Sequence, residues 1–86
     1  MRRRFSRENI SRVRSGPGVY RLFSKHAKKP TYIGMSNELP RRLAEHKNSE
    51  RYHSFDVRHT DSIRRAGQIE RRSIRQVKPR RNRAYA

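Results

Sequence analysis

Hydrophobic and polar positions change their period several times along this 86-residue chain. After the breaker Gly16-Pro17-Gly18, alternating residues predict a strand over 19–23, and a second strand follows at 31–35 beyond a short polar turn. Strands joined by so short a loop should pair as an antiparallel hairpin. A third run of period two, residues 54–60, predicts one more strand.

A helical period governs the two segments that remain. Residues 38–47 predict a first helix, and a second runs from about residue 61 to Val77, where Pro79 stops it. The order β-β-α-β-α predicts an α/β fold of the α+β type, with a three-stranded antiparallel sheet flanked by helices. A chain of this length has room for one domain, which we place at residues 16–84.

Residues 1–15 precede this domain and are predicted to form a basic N-terminal arm. They carry six arginines but few large apolar side chains, so we expect the first residues to be disordered. Two interpretations of the arm stay open, a solvated charged tail and a segment that contacts phosphates.

Charge narrows the class of partner. The chain has 24 Lys and Arg against seven Asp and Glu, a net charge of +17, so polyanions and above all nucleic acid are the expected partners.

The absence of cysteine excludes disulfides and Cys-based zinc or iron–sulfur sites. Neither a membrane-spanning apolar run nor a secretory signal is evident. We therefore expect a soluble protein without a membrane partner, cytoplasmic or nucleoid-associated, in a bacterial or phage-infected cell.

One acid lies where an apolar residue is expected. At roughly 100° per residue, four apolar residues of the second helix fall in an arc of about 80°: Ile63, Ala66, Ile74 and Val77. Glu70 lies near the middle of that arc. It could be a buried partner of Arg42 or of a tyrosine, or it could be a metal ligand or an acid–base group. In a basic protein that binds phosphates, a carboxylate repels the phosphate unless a metal ion lies between the two groups. This favours a site for Mg²⁺ or Mn²⁺.

Other candidate side chains come from the hairpin and the first helix. Tyr20 and Tyr32 lie in facing strands, where their phenols could meet, although strand tyrosines are more often simple packing residues. Arg42 and His46 share one face of the first helix at i and i+4. An arginine and a histidine would then stand beside two phenols.

These residues resemble the signature of the GIY-YIG nuclease family. Gly18-Val19-Tyr20 and Tyr32-Ile33-Gly34 match its two tripeptides, with Val19 in place of isoleucine. Arg42 lies ten residues after Tyr32, where the family keeps its catalytic arginine, and His46 follows one helical turn later.

The resemblance continues to the end of the chain. Glu70 lies in a late helix, where the family places its metal-binding glutamate, and Lys78-Pro79 followed by Asn82 resemble the closing motif. Met35 departs from relatives that carry lysine there. The similarity covers about residues 16–84.

The resemblance implies hydrolysis of a DNA phosphodiester that leaves 5′-phosphate and 3′-hydroxyl ends. One Mg²⁺ or Mn²⁺ on Glu70 would polarise the phosphate, and Arg42 would offset its charge. Tyr20 is the candidate general base with His46 as its neighbour, and Tyr32 would position water or phosphate; which tyrosine is the base stays open.

Further residues are expected to support the site or to bind DNA. Gly34 would support the site, and Asn82 would either tie the tail to it or serve only as a helix-exit residue. The expected contacts with nucleic acid are basic: Arg41, Lys47, Arg71, Lys78, Arg80 and Arg81.

The expected partner is DNA, double-stranded, with a homodimer or a targeting protein as a further expectation. The alternative function is a non-catalytic basic protein that binds nucleic acid. Glu70 discriminates between the two, because a protein that only binds DNA has no use for an acid in that stripe.

Overall fold

The computed structural model describes residues 2–48 and 51–85, with the backbone alone for 83–85. Parts of the predicted arm, loop and tail, namely Met1, residues 49–50 and Ala86, lie outside this range. The strands are β1 (Arg3–Arg4), β2 (Gly18–Phe23), β3 (Tyr32–Ser36) and β4 (Ser54–His59). The helices are α1 (Arg7–Ser11), α2 (Leu39–Lys47) and α3 (Ile63–Val77), followed by a 3₁₀ helix (Arg80–Tyr85).

The sheet is antiparallel, with strand order β1-β4-β2-β3. The predicted mixed fold, the hairpin and both predicted helices are confirmed, and every boundary falls within two residues of its predicted place. The predicted number of strands was wrong, because the described sheet has four strands rather than three.

The additional strand comes from the segment that was expected to begin as a disordered arm. Arg3 and Arg4 pair with Phe55 and Ser54 of β4, and the Phe5 ring packs 5.4 Å from the Phe55 ring. Phe5 is buried, as are Ile10 and Val13 of the following segment. The spacing of Ile10 and Val13 allows a short helix or turn, but no alternation marks a strand before them, so only the partner strand β4 reveals that this segment completes the sheet.

Two small cores lie on opposite faces of the sheet. Leu22 of β2 packs with Leu39 and Leu43 of α2 on one face, where α1 also lies. On the other face Val19 and Ile33 pack against α3. Because β3 is an edge strand, side chains from both faces can meet around its free side.

The end of α3 directs the chain back to that edge. Lys78 takes a left-handed conformation (φ 54°), and its N–H donates to the Ile74 carbonyl at 2.7 Å. Pro79 then ends the helix as predicted, and the 3₁₀ helix lies along β3. Within residues 2–48 and 51–85, no helix has the length and apolar character needed to cross a membrane.

Candidate active site

A glycine allows Tyr20 to reach the edge of the sheet. Tyr20 on β2 lies directly opposite Gly34 on β3, with its side chain 2% exposed. A methyl group at residue 34 would overlap both the ring and the hydroxyl of Tyr20. The missing side chain at Gly34 therefore lets the phenol cross over the edge strand.

Helix α2 brings His46 to this phenol. The buried side chains of Leu39 and Leu43 fix the helix on the sheet, and His46 follows one turn after Leu43. The Tyr20 hydroxyl lies 3.0 Å from His46 Nε2. The Tyr32 ring is 5.2 Å from the His46 ring and 6.1 Å from the Tyr20 ring. The two phenols and the imidazole thus form one cluster.

The electrostatics of this cluster favour its neutral forms. Burial lowers the pKa of His46, and the nearby Arg42 guanidinium lowers it further. A neutral imidazole with its proton on Nδ1 can accept a hydrogen bond from the Tyr20 hydroxyl at Nε2. Burial also raises the pKa of Tyr20, with Tyr32 acting in the same direction and Arg42 opposing it. Tyr20 is therefore a protonated phenol near neutral pH.

Glu70 stands at the border of the apolar stripe rather than buried within it. Ala66 and Ile69 belong to the core, whereas the Glu70 side chain is half-buried and lies in an open cleft. Its carboxylate makes no hydrogen bond or ion pair with any residue that the structure describes. The predicted alternatives of a buried pair with Arg42 or a bond to a tyrosine are therefore wrong. Burial raises the pKa of Glu70, with Arg71 opposing.

The cleft that contains Glu70 has a volume of about 1360 Å³ and lies beside β3, α3 and the 3₁₀ helix. Tyr20, Tyr32 and Arg42 line it together with Glu70. The rim residues are cationic: Arg71, Arg75, Lys78 and Arg80. The structure thus gathers four of the five predicted catalytic residues in one cavity, and the fifth, His46, lies 3.0 Å from the Tyr20 hydroxyl.

The structure divides the predicted DNA contacts into two groups and shows further residues near the site. Arg71, Lys78 and Arg80 line the cleft, whereas Arg41, Lys47 and Arg81 are not among the residues that line it. Arg75 was missed, and its signal was its place one turn after Arg71. Tyr52 was missed as well; its half-buried ring lies 6.1 Å from the His46 ring. It stands alone before β4, so no spacing marked it.

Asn82 joins the 3₁₀ helix to β3. Its Oδ1 accepts from the Ile33 N–H at 2.8 Å, and its Nδ2 donates to the Ile33 carbonyl at 2.9 Å. The side chain thereby satisfies both backbone groups of a residue on the edge strand. Asn82 is more than a helix-exit residue, because it holds the rim of the cleft against β3.

Met35 of β3 lines the cleft together with Glu70. A methyl group added to Gly67 of α3 would come within 3.3 Å of Met35 Sδ, so the helix and this side chain pack closely. The strand residue therefore contributes apolar packing at the site and no charge.

The donors in the cleft are suited to one hard cation. Glu70 is the one carboxylate among the residues that line the cleft, and the described residues contain no group of three or more potential His, Asp or Glu ligands. One carboxylate on an open cavity leaves coordination positions for water and for phosphate oxygens, an arrangement that Mg²⁺ favours.

Comparison with known proteins defines the class. The sequence matches the family described as the GIY-YIG catalytic domain over residues 16–83. No protein of curated function matches the chain by sequence. The fold is similar to the N-terminal GIY-YIG endonuclease domain of UvrC from Thermotoga maritima, solved with its catalytic magnesium: the TM-score is 0.75 at 25% identity, covering 86% of this chain and 91% of that one.

An asparagine-to-alanine mutant of the same Thermotoga maritima domain, bound to its catalytic divalent cation, is equally similar. It has a TM-score of 0.75 at 25% identity and covers 86% of this chain and 90% of its own. The fold and the matched segment are those of a nuclease domain. This chain belongs to the GIY-YIG family, and it is an endonuclease of the GIY-YIG type.

Proposed function

We propose that the chain is a metal-dependent DNA endonuclease that hydrolyses phosphodiester bonds to 5′-phosphate and 3′-hydroxyl ends. The observation that carries this proposal is the Glu70 carboxylate, which lines the same cleft as Tyr20 and Arg42 and makes no hydrogen bond or ion pair with the described residues. A partly buried carboxylate with no structural partner is unfavourable unless a cation binds it.

Glu70 would hold one Mg²⁺ or Mn²⁺ ion. The related domain from Thermotoga maritima carries a magnesium described as its catalytic cation, which supports the same cofactor here. When bound, such an ion polarises the scissile phosphate and stabilises the leaving 3′ oxygen. The fit rests on the chemistry of Glu70, because carboxylate oxygens are preferred ligands of these hard cations.

The chain supplies the base through two residues. The raised pKa of Tyr20 means that the phenol does not ionise by itself near neutral pH. The water proton moves to the Tyr20 oxygen while the Tyr20 hydroxyl proton moves to His46 Nε2, 3.0 Å away. The new O–P bond forms, the P–O3′ bond breaks, and the 3′ oxygen takes a proton from solvent. Tyr32 positions the water or the phosphate.

Arg42 stabilises the charge of the phosphate in the transition state. Its present partner is Glu45 at 3.4 Å, and both side chains are about half exposed. Exposed pairs of this kind contribute roughly 0–1 kcal/mol, so Arg42 can leave Glu45 for a phosphate at little cost. Arg71, Lys78 and Arg80 at the rim would contact neighbouring phosphates.

The proposed substrate is double-stranded DNA in the cytoplasm. One active site cuts one strand, so a double-strand break needs a homodimer or two successive nicks. A domain of this size reads little sequence on its own, which leaves target choice to low specificity or to a partner protein.

Supercoiled-plasmid cleavage in Mg²⁺, Mn²⁺ or EDTA tests the proposal. We expect cleavage that requires the metal. Accumulation of nicked circles indicates independent single sites, and direct linearisation indicates a dimer. Tight, salt-sensitive binding in Mg²⁺ and Mn²⁺ without any cleavage would contradict the proposed reaction.

A further inference from the structure

One end of the sheet carries a cationic surface that lies outside the cleft. At this end β2 stops and β3 begins, and residues 24–31 join them. Within this loop Lys25, Lys28 and Lys29 are exposed, and none of them makes an ion pair with a residue that the structure describes. Three uncompensated charges thus stand close together on one short loop.

The backbone of this loop is held in place. The Ala27 N–H donates to the Ser24 carbonyl at 3.0 Å, and the Ser24 and Thr31 hydroxyls lie 2.8 Å apart. Arg2 stacks 4.0 Å from the Phe23 ring centroid and donates from Nη1 to the Ala27 carbonyl at 2.8 Å. The lysines therefore project from a fixed loop, and less conformational entropy is lost when they bind a ligand.

This loop continues the cationic rim of the cleft. The Arg81 N–H donates to the Thr31 carbonyl at 2.8 Å, which places the 3₁₀ helix beside the end of the loop. Arg80, the preceding residue, lines the cleft, and Arg81 is exposed. A basic strip therefore runs from the cleft through the 3₁₀ helix to the loop lysines.

The acids of the described chain do not neutralise this strip. Three of them are ion-paired elsewhere: Glu8 with Arg12, Glu45 with Arg42, and Asp56 with Arg21. Glu38 and Asp61 follow the C-terminal ends of β3 and β4, at the end of the sheet that lies opposite to the 24–31 loop. Glu70 lies in the cleft itself.

We propose that residues 24–31 bind the phosphate backbone of duplex DNA on one side of the scissile bond, a role that rests on the proposed endonuclease function. Duplex DNA carries one charge per roughly 1.7 Å of its axis, so a strip leading away from the cleft meets a continuous row of phosphates. The longest dimension of the protein, 30 Å, spans about nine base pairs at ~3.4 Å each. The loop lengthens the contact without reading bases.

The test compares two triple variants of equal charge. In one, Lys25, Lys28 and Lys29 are replaced by Gln. In the matched control, Arg58 near the end of β4 and Arg64 and Arg65 in the first turn of α3 are replaced by Gln. Each removes three charges from +17 and leaves +14. Because all six side chains are exposed, the melting temperature should stay close to that of the wild type.

Binding to a 30-base-pair duplex is measured by fluorescence anisotropy in EDTA over a range of salt concentrations. We expect the loop variant to lose about tenfold or more in affinity. Its negative slope of log affinity against log salt should become shallower by roughly 2–3, because each lost phosphate contact removes about 0.9 from the slope. The control should lose clearly less in both quantities.

Equal losses in the two variants would show that net charge alone sets the affinity, and would overturn the assignment. Wild-type affinity in the loop variant, or a loss confined to single-stranded DNA, would overturn it as well. Plasmid cleavage by the wild type separates this inference from the proposed reaction. If DNA binding depends on the loop but the wild type does not cleave, the proposed reaction alone is contradicted. If the wild type cleaves but the two variants lose affinity equally, the role of the loop alone is contradicted.

Discussion

Two carboxylates, one on helix α3 and one on the strand beneath that helix, have opposite environments. Asp56 lies with Ile69 and Ser73 in a groove between α3 and the sheet, and its two oxygens accept from Arg21 at 2.8 and 2.5 Å. Glu70 lies on the other side of α3, half-buried in a cationic cleft, without a partner in the described chain. The paired acid stabilises the fold, and the unpaired acid is available to a ligand.

The place of each acid in the fold explains this difference, because Asp56 lies in the sheet and Glu70 on the helix that covers it. Asp56 on β4 stands directly opposite Arg21 on the neighbouring strand β2, so its partner is supplied by strand register. Glu70 of α3 lines the cleft beside the edge strand β3, where the described sheet has no further strand to place a residue opposite it by register. An edge position thus allows a charged group to stay partly buried and unpaired.

The largest expected effect is on the unpaired acid. In Glu70→Gln the volume is kept and the charge is lost, so we expect metal-dependent plasmid cleavage to fall by on the order of a thousandfold, about 4 kcal/mol of transition-state stabilisation. DNA affinity in EDTA should stay equal or increase, because a charge that repels phosphate is removed. Retention of more than a tenth of the wild-type rate would show that Glu70 does not hold the metal.

The next effect is on the Tyr20–His46 pair. His46→Ala removes the proton acceptor, and we expect cleavage to slow by on the order of 100-fold. Because the pKa of His46 is lowered from its ordinary value of ~6.5, the imidazole stays neutral to a lower pH. The wild-type rate should therefore begin to fall only when the pH drops through this lowered pKa. A pH–rate profile measured at saturating Mg²⁺ checks this. An acidic limb centred above pH 6.5 would contradict the assignment.

A smaller effect is expected on the paired acid, and on stability rather than cleavage. Asp56→Asn leaves Arg21 without its carboxylate; because the Arg21 side chain is 45% exposed, we expect a loss of roughly 1–3 kcal/mol. At about 4–8 °C per kcal/mol, calorimetry detects such a loss. Below the melting transition the variant should still cut plasmid, since Asp56 lies outside the cleft. A cleavage defect like that of Glu70→Gln would break the contrast between the two acids.

The pH dependence of stability sharpens the same comparison. The raised pKa of Glu70 means that the folded chain holds this proton more tightly than the unfolded chain does. The loss of folding stability caused by the charged carboxylate is complete above the pKa of Glu70 in the folded chain. It disappears as the pH falls toward ~4.3, the pKa of this group in the unfolded chain. In EDTA the melting temperature of Glu70→Gln should therefore exceed that of the wild type at pH 7, and the two should converge near pH 4. A difference independent of pH would argue against this origin.

The smallest effect concerns Glu45. Glu45→Gln removes the exposed partner of Arg42, and we expect stability to change by less than about 0.5 kcal/mol. The cleavage rate should equal that of the wild type or be slightly higher, because Arg42 then has no ion pair to break before it contacts a phosphate. A several-fold loss of cleavage would mean that Glu45 positions Arg42.

Much of this arrangement could be predicted because its signals are local. Alternation located β2 and β4, and a run of residues with high β-propensity located β3. The helical phase of Glu70 among apolar neighbours marked this residue before its surroundings were known. Other features depend on contacts distant in sequence. Arg3 and Arg4 form a strand only because β4 offers an unpaired edge, and Tyr52 joins His46 only after the chain returns to the sheet. The role of Gly34 likewise depends on Tyr20 fourteen residues earlier.

The most direct test of the contrast between the two acids is a Mn²⁺ binding titration followed by electron paramagnetic resonance. Wild-type protein, Glu70→Gln and Asp56→Asn are compared while all three are folded and free of DNA. The account predicts one bound Mn²⁺ per chain in the wild type and in Asp56→Asn, and the loss of that ion in Glu70→Gln. Equal binding by all three, or loss in Asp56→Asn alone, would contradict it.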